Sequence, residues 1–192
     1  MQAPYADAIV AVTGASTGLG RAIALGAAQQ GARAAIINFA SSLAEAEETA
    51  RLVRQAGAEA ILVQGDVGED ETCRAIAAAA ERFGRIDTLF NNAGTTRIVP
   101  YNDLEALSGD EFMRIYRVNV VGAYQMTRAA RSLLDASDRA AVVMSSSVAG
   151  VTGGGSCIAY SASKGALNNL TMALARALAP RIRVNAICPG FI

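Results

Sequence analysis

The chain has 192 residues, 52% hydrophobic and 18% charged, enough for one domain with a sizeable core. Its 17 basic and 17 acidic residues cancel, which leaves no electrostatic footprint for nucleic acid or an anionic membrane, and no apolar run is long enough to span a bilayer. Histidine is absent, excluding a Ser-His-Asp or Cys-His nucleophile built from this chain alone, and Cys73, Cys157 and Cys188 show neither zinc-ligand spacing nor a disulfide framework.

Taken in chain order, short apolar runs alternate with amphipathic ones. The N-terminus has no basic n-region and no long apolar h-region, so with unpaired cysteines a reducing cytoplasm is expected. Residues 8–12 predict a buried strand and residues 19–30 a helix. Residues 34–37 predict a second strand. Ser42-Leu43-Ala44-Glu45 has the capping-box pattern and opens a helix predicted to reach about residue 56. Residues 61–63 predict a third strand, and residues 70–83 a helix closed by Gly84. Residues 87–90 predict a fourth strand. Ser108-Gly109-Asp110-Glu111 is a second capping box, before one long helix predicted to reach about Leu134. A strand at 140–144, a helix at 159–178 and a strand at 182–187 complete the series. Six apolar runs separated by helices imply repeated βαβ units: an α/β, doubly wound parallel sheet with helices on both faces, a Rossmann fold. No linker, low-complexity tract or repeat divides it, so residues 1–192 are expected to form a single dinucleotide-binding and catalytic domain.

The candidate functional residues fall at the strand ends of this scheme. Thr13-Gly14-Ala15-Ser16-Thr17-Gly18-Leu19-Gly20 joins the first strand to the first helix. Glycines let the backbone turn tightly and let a pyrophosphate approach, and the amides and positive end of the helix can hold the phosphates. A plain βα turn would use the same residues. Asp66-Val67 follows the third strand, on the edge where open α/β sheets bind ligands; Asp66 is a candidate acceptor for an adenine amino group, or a turn aspartate. Asn91-Asn92-Ala93-Gly94 ends the fourth strand and suits a strained turn. Tyr160 and Lys164 stand one helical turn apart and face the same way. A tyrosine ionises near pH 10, too high for neutral acid–base work, and a neighbouring ammonium favours the phenolate. Ser147 lies thirteen residues upstream, at the end of the fifth strand. Singly, Tyr160, Ser147 and Asn119 would each pass for packing or turn residues.

With Gly14, Gly18 and Gly20, the Asn-Asn-Ala-Gly segment, Asn119, Ser147, Tyr160, Lys164 and Pro189-Gly190 in this order, the chain resembles the short-chain dehydrogenase/reductase family. The resemblance is to its single-domain form, nearest the 3-oxoacyl-carrier-protein-reductase-like group, and covers essentially the whole chain. It implies hydride transfer between a nicotinamide and the carbon of a small-molecule carbonyl or alcohol. Tyr160 is then the general acid or base, Lys164 lowers its pKa and binds the nicotinamide ribose, and Ser147 steadies the substrate oxygen. Asn119 would hold a water in a proton relay to Lys164. Implied dinucleotide contacts come from Gly14, Ser16, Thr17, Gly18, Leu19 and Gly20, from Asn38 and Ser41, from Asp66 and Val67, and from Asn92, Ala93 and Gly94. Tyr160, Lys164, Pro189, Gly190 and Ile192 complete the set. Homodimers or homotetramers packed through helices at about 108–134 and 159–178 are also implied. No metal, nucleic acid or membrane is.

An acid at the end of the second strand would bind the ribose hydroxyls of NAD(H) and repel the extra phosphate of NADP(H). Here that end reads Ile37-Asn38-Phe39-Ala40-Ser41-Ser42, with no acid before Glu45, so NADP(H) is favoured over NAD(H). Thr17 stands where many NADP-preferring relatives carry a basic residue. Asn38, Ser41 and Ser42 are the candidate 2′-phosphate ligands, with Arg21 or Arg33 if they reach. The family continues past Pro189-Gly190 with a substrate-covering segment, a helix and a seventh strand. The expectation is therefore a fragment whose last strand is an open edge, unstable or weakly active alone. Competing readings are a nucleotide-binding regulator without turnover and an NAD-dependent sugar or alcohol dehydrogenase; the glycine spacing disfavours an epimerase.

Overall fold

A computed structural model describes residues 3–190; Ile192, expected beside the nicotinamide, lies outside them. Six parallel strands form one sheet: Ile9–Val12 (β1), Ala34–Phe39 (β2), Glu59–Gln64 (β3), Thr88–Asn91 (β4), Ala141–Ser145 (β5) and Arg183–Ile187 (β6). Their order is β3-β2-β1-β4-β5-β6, with β1 bonded to both β2 and β4. Chain direction across the sheet therefore reverses between β1 and β4, which opens a crevice beyond their carboxyl ends.

Every residue of β1 and β2 is buried, because helices cover both faces. Alternate residues serve opposite layers. Ile9, Ala11 and Ile36 pack with Cys73 and Ile76 of Asp70–Ala80 (α3), Met126 of Ala123–Ala129 (α5) and Leu167 of Ile158–Leu178 (α8). Val10, Val12 and Ile37 pack with Ala24 and Ala27 of Gly18–Gln29 (α1) and with Ala50 and Val53 of Leu43–Gln55 (α2). Small alanines on α1 let that helix lie close to the sheet.

The predicted elements are present with informative departures. β2 and β3 are longer than their apolar runs, since sheet bonding extends through Asn38 and Gln64. Ser42 precedes α2 but makes no side-chain cap bond, so the first capping box is not closed. Of the second, the N-cap half is formed: the Ser108 hydroxyl accepts the Glu111 N–H at 3.2 Å and opens Gly109–Tyr116 (α4), while the Glu111 carboxylate binds Arg114. The single long helix expected after it is broken. A π-helical stretch, Arg117–Gly122, separates α4 from α5, and a further short helix, Arg131–Asp135 (α6), follows. The π turn carries buried Asn119, bonded on both sides of its amide, and Gly122, where a Cβ would come 3.0 Å from the Val67 carbonyl oxygen. Ala149–Thr152 (α7) was not foreseen; four residues are too few to show a period. Among the described residues, no helix is long and apolar enough to cross a membrane.

At the opposite, amino end of the sheet, Asp87 is buried and binds the Ile9 amide at 2.7 Å, the Ser137 hydroxyl at 2.6 Å and Arg85 at 3.1 Å. Burial raises its pKa, but the hydrogen bonds from Ser137 and Ile9 and the Arg85 guanidinium outweigh burial and hold the carboxyl below its ordinary value of 3.8. Its stabilisation is accordingly present above that value and lost as pH falls through the lower folded one. Asp87→Ala leaves two buried donors unpaired and is expected to destabilise the fold by about 3 kcal/mol. Urea denaturation checks this; an unchanged midpoint would show the cluster to be dispensable.

Candidate functional site

The turn after β1 is shaped by backbone that only glycine accepts readily. Gly14 and Gly18 have φ of +61° and +53°. A Cβ on Gly20 would stand 2.3 Å from the Gly14 carbonyl oxygen, so the start of α1 lies directly against the loop. Side chains from neighbouring strand ends then fix this turn. Thr13 Oγ1 accepts the amides of Asn92 and Ala93, each at 2.9 Å. Asn92 Nδ2 donates to the carbonyls of Thr13 and Gly14, each at 3.1 Å. Asn38 Oδ1 accepts the Gly14 amide at 3.2 Å.

A cleft of about 450 Å³ lies beyond β1, β2 and β3, lined by Gly14, Ser16, Thr17, Asn38, Ser41, Ser42, Asp66, Val67, Asn92, Ala93 and Gly94. A second, of about 300 Å³, is lined by Leu19, Ser145, Ser146, Ser147, Tyr160, Lys164, Pro189 and Gly190. The two share Asn92, Gly94 and Thr95, so they form one trough across the sheet edge. The trough is suited to a dinucleotide: Thr17 makes no side-chain cap bond, which leaves the first-turn amides of α1 for phosphate oxygens, and glycine opens the approach.

Five of the expected residues, Gly18, Gly20, Asn38, Arg21 and Arg33, have other places or commitments. Gly18 and Gly20 shape the turn and do not line the trough. Asn38 borders it, but both amide N–H bonds are spent on the Val63 and Gly65 carbonyls, at 3.2 and 3.0 Å, so it has no donor for a 2′-phosphate. Arg21 binds the Ser16 and Glu45 carbonyls through Nη2, and Arg33 lies over the Phe83 ring, 5.5 Å from its centre; neither lines the trough. Asp66 does line it, with Oδ1 accepting the Gly68 amide at 2.8 Å, so the turn role and the cleft position coexist.

In the second half of the trough, Tyr160 is half-buried and Lys164 fully buried. The Lys164 ammonium lies 5.5 Å from the centre of the Tyr160 ring and donates to the Ser145 carbonyl at 2.7 Å. The Tyr160 amide is capped by Cys157 Sγ at 3.4 Å, so a buried thiol starts the helix that carries both residues. Ser147 Oγ accepts the Ala149 amide at 3.1 Å, which holds it at the head of α7. Asn119 does not line the trough. Its Nδ2 donates to the Thr95 carbonyl at 3.0 Å and to Ser163 Oγ at 2.9 Å, and its Oδ1 accepts the Thr95 amide at 2.7 Å. Both of its side-chain N–H groups are thus committed within the protein. Thr13, Thr95 and Ser163 were missed because hydroxyls beside glycine turns or within helices carry no distinguishing spacing. Arg114, which reaches Thr95 Oγ1 at 3.0 Å and lines the first cleft, was missed because nothing in the sequence marks which charged residue of its helix reaches the sheet edge.

The family whose model is described as short chain dehydrogenase matches residues 8–192, and the chain belongs to it. It is an NAD(P)-dependent oxidoreductase acting on small molecules. The candidate ketoacyl reductase 2 of the granaticin polyketide synthase of Streptomyces violaceoruber is 38% identical over 185 residues, 96% of this chain and 72% of that one. Among solved structures, a candidate short-chain dehydrogenase/reductase from Burkholderia xenovorans superposes with a TM-score of 0.92 at 47% identity, covering 96% of this chain and 77% of that one. An NAD+-bound xylitol dehydrogenase superposes with a TM-score of 0.90 at 34% identity, covering 98% and 72%.

Burial pushes the Lys164 ammonium down from 10.5 to about 8, partly offset by its electrostatic interaction with Cys188. The unfolded chain keeps this proton to pH 10.5, so between about pH 8 and 10.5 the unfolded state binds more protons and stability rises with pH. Below pH 8 the buried charge disfavours the fold by about 3 kcal/mol. Lys164→Met is therefore expected to be more stable than the wild-type chain at pH 7, with the gap closing as pH rises to 10. Urea titrations at both pH values, without dinucleotide, measure it; a gap independent of pH contradicts the burial argument.

Proposed function

We propose that residues 1–192 form a single domain that reduces a small-molecule carbonyl to a secondary alcohol with NADP(H). One observation carries the reading: a buried ammonium and a tyrosine from α8 and a serine from the segment after β5 meet in the half of the trough away from the β2 edge. The bound dinucleotide supplies the hydride. Ser147 donates a hydrogen bond to the carbonyl oxygen and holds it toward Tyr160. Tyr160 gives that oxygen its phenolic proton as charge develops there, and takes it back in alcohol oxidation. Lys164, charged below pH 8, stabilises the resulting phenolate and stands where a ribose hydroxyl can bond it. Asn119 is a positioning residue, holding the Thr95 loop against α8 through Ser163.

The absence of an acid at the β2 end supports NADP(H). Ser41, Ser42 and the uncapped amides at the start of α2 border that part of the trough and are the proposed 2′-phosphate ligands. An NAD-linked alcohol or sugar dehydrogenase is the second reading, supported by the lack of a free cation there among the described residues and by the NAD+-bound relative. Exposed Met113, Val121, Tyr124 and Met172 on α4, the π segment, α5 and α8 support a homodimer or homotetramer through those helices. A cytoplasmic setting belongs to the same proposal and rests on the free cysteines.

Tyr160→Phe is expected to lower carbonyl reduction by about 10²–10⁴-fold while leaving NADPH affinity within a few-fold. NADPH oxidation over ketones, quinones and 3-oxoacyl thioesters tests it; wild-type rates in the variant would return the chain to the regulator reading. Ser41→Asp is expected to weaken NADPH binding at least about tenfold and spare NADH. Equal loss of both in fluorescence titrations would remove Ser41 from the phosphate site.

A further inference from the structure

We infer that Gly150 is a positioning residue of the reaction: its missing side chain sets how closely Ser147 approaches the Tyr160–Lys164 helix. The inference rests on the proposed role of Ser147. α7 packs across α8 at Lys164. A Cβ on Gly150 would lie 2.5 Å from the Lys164 carbonyl carbon, and 2.7 Å from its oxygen and from the Gly165 nitrogen. All three are backbone atoms of a 21-residue helix, which cannot swing aside as a side-chain tip can. Gly150 does not have a positive φ, so the constraint there is contact and not backbone conformation.

The same few residues carry Ser147. The Gly150 amide donates to the Ser147 carbonyl at 3.0 Å, and the Ala149 amide to Ser147 Oγ at 3.1 Å. Ser146 Oγ donates to the Lys164 carbonyl at 3.2 Å, which pins the preceding residue to the same point of α8. The turn of α7 is thus suspended between β5 and the Lys164 carbonyl, with Ser147 inside the span. Ordinary carbon contact is about 3.5 Å, so a methyl group on Gly150 must push α7 outward by about 1 Å. A displacement of about 1 Å in a reacting constellation can lower turnover about 10²-fold. The facing glycine is not equivalent. A Cβ on Gly165 would find only the Gly150 carbonyl oxygen, at 3.4 Å, a contact that a small shift relieves.

The test uses NADPH oxidation by the full chain, with the carbonyl compound turned over fastest in the panel above, alongside NADPH fluorescence titration. Gly150→Ala is expected to lower kcat about 10²-fold with NADPH Kd changed less than about threefold, and Gly165→Ala to retain wild-type kcat. A cycle with Ser147→Ala separates positioning from general damage. If Gly150 acts through Ser147, the alanine at 150 costs little further rate once the Ser147 hydroxyl is gone. Wild-type kcat in Gly150→Ala, or losses that multiply in the double variant, overturn the inference. Wild-type kcat in Ser147→Ala instead overturns the reading on which it rests. If Gly150→Ala does not fold, Gly165→Val presses branched methyls on the same carbonyl. It is expected to show the same kcat loss and the same non-additivity, and wild-type kcat there overturns the inference.

Discussion

The structure depends on how the carboxyl edge of its sheet satisfies the backbone groups that strand pairing leaves open. A parallel sheet ends in peptide groups with no further ladder partner, and buried peptide groups must be bonded. Here Thr13, Asn38 and Asn92 supply the partners. Each reaches from one strand end to the glycine turn or to the loop after β4. The turn thereby becomes a fixed cradle joined to two neighbouring strands, and α1 can lie against it because Gly20 has no Cβ. The same commitments explain why Asn38 has no donor for a 2′-phosphate: its amide is already part of the edge.

A second set of contacts builds the other half of the trough around α8. This helix carries Tyr160 and Lys164 on one face, begins on the Cys157 thiol, and is tied at Ser163 to Asn119 and at the Lys164 carbonyl to Ser146. Lys164 is buried with one carbonyl partner, an arrangement unfavourable to its charge. Stability is given up at this position for a cation held beside a phenol. Asp87 shows the contrasting case at the far end of the sheet, where a buried charge has enough partners to be held ionised. The two buried ions mark the two ends of the strands, the amino end serving stability and the carboxyl end the proposed reaction chemistry.

The break in the helix after Ser108 connects these halves. Asn119 lies on the inward face of this segment with buried Ile115, Ala123 and Met126. The π stretch admits Asn119 between the Thr95 loop and α8, so the loop below the dinucleotide trough and the helix above it share one buried amide.

The sequence by itself determined the sheet, the layers and where along the chain the glycine turn and the Tyr160–Lys164 pair fall. Short apolar runs alternating with helical patterns imply the strands of a parallel sheet, and the glycine turn and the Tyr160–Lys164 pair are local patterns read over one turn of chain. Gly84, left-handed at the end of the 3₁₀ turn Glu81–Phe83 that follows α3, and Ser108 capping α4 were legible for the same reason. Tertiary structure alone decided what those residues have left to offer. Ser42 caps on paper and not in space, Asn38 turns inward to a glycine amide, and Asn119 spends both N–H bonds on partners 24 and 44 residues away. Hydrogen-bonding capacity is finite, and its allocation depends on neighbours brought together by sheet order. Steric room is likewise non-local: Gly150 looks like any glycine near a turn until α8 is laid across it.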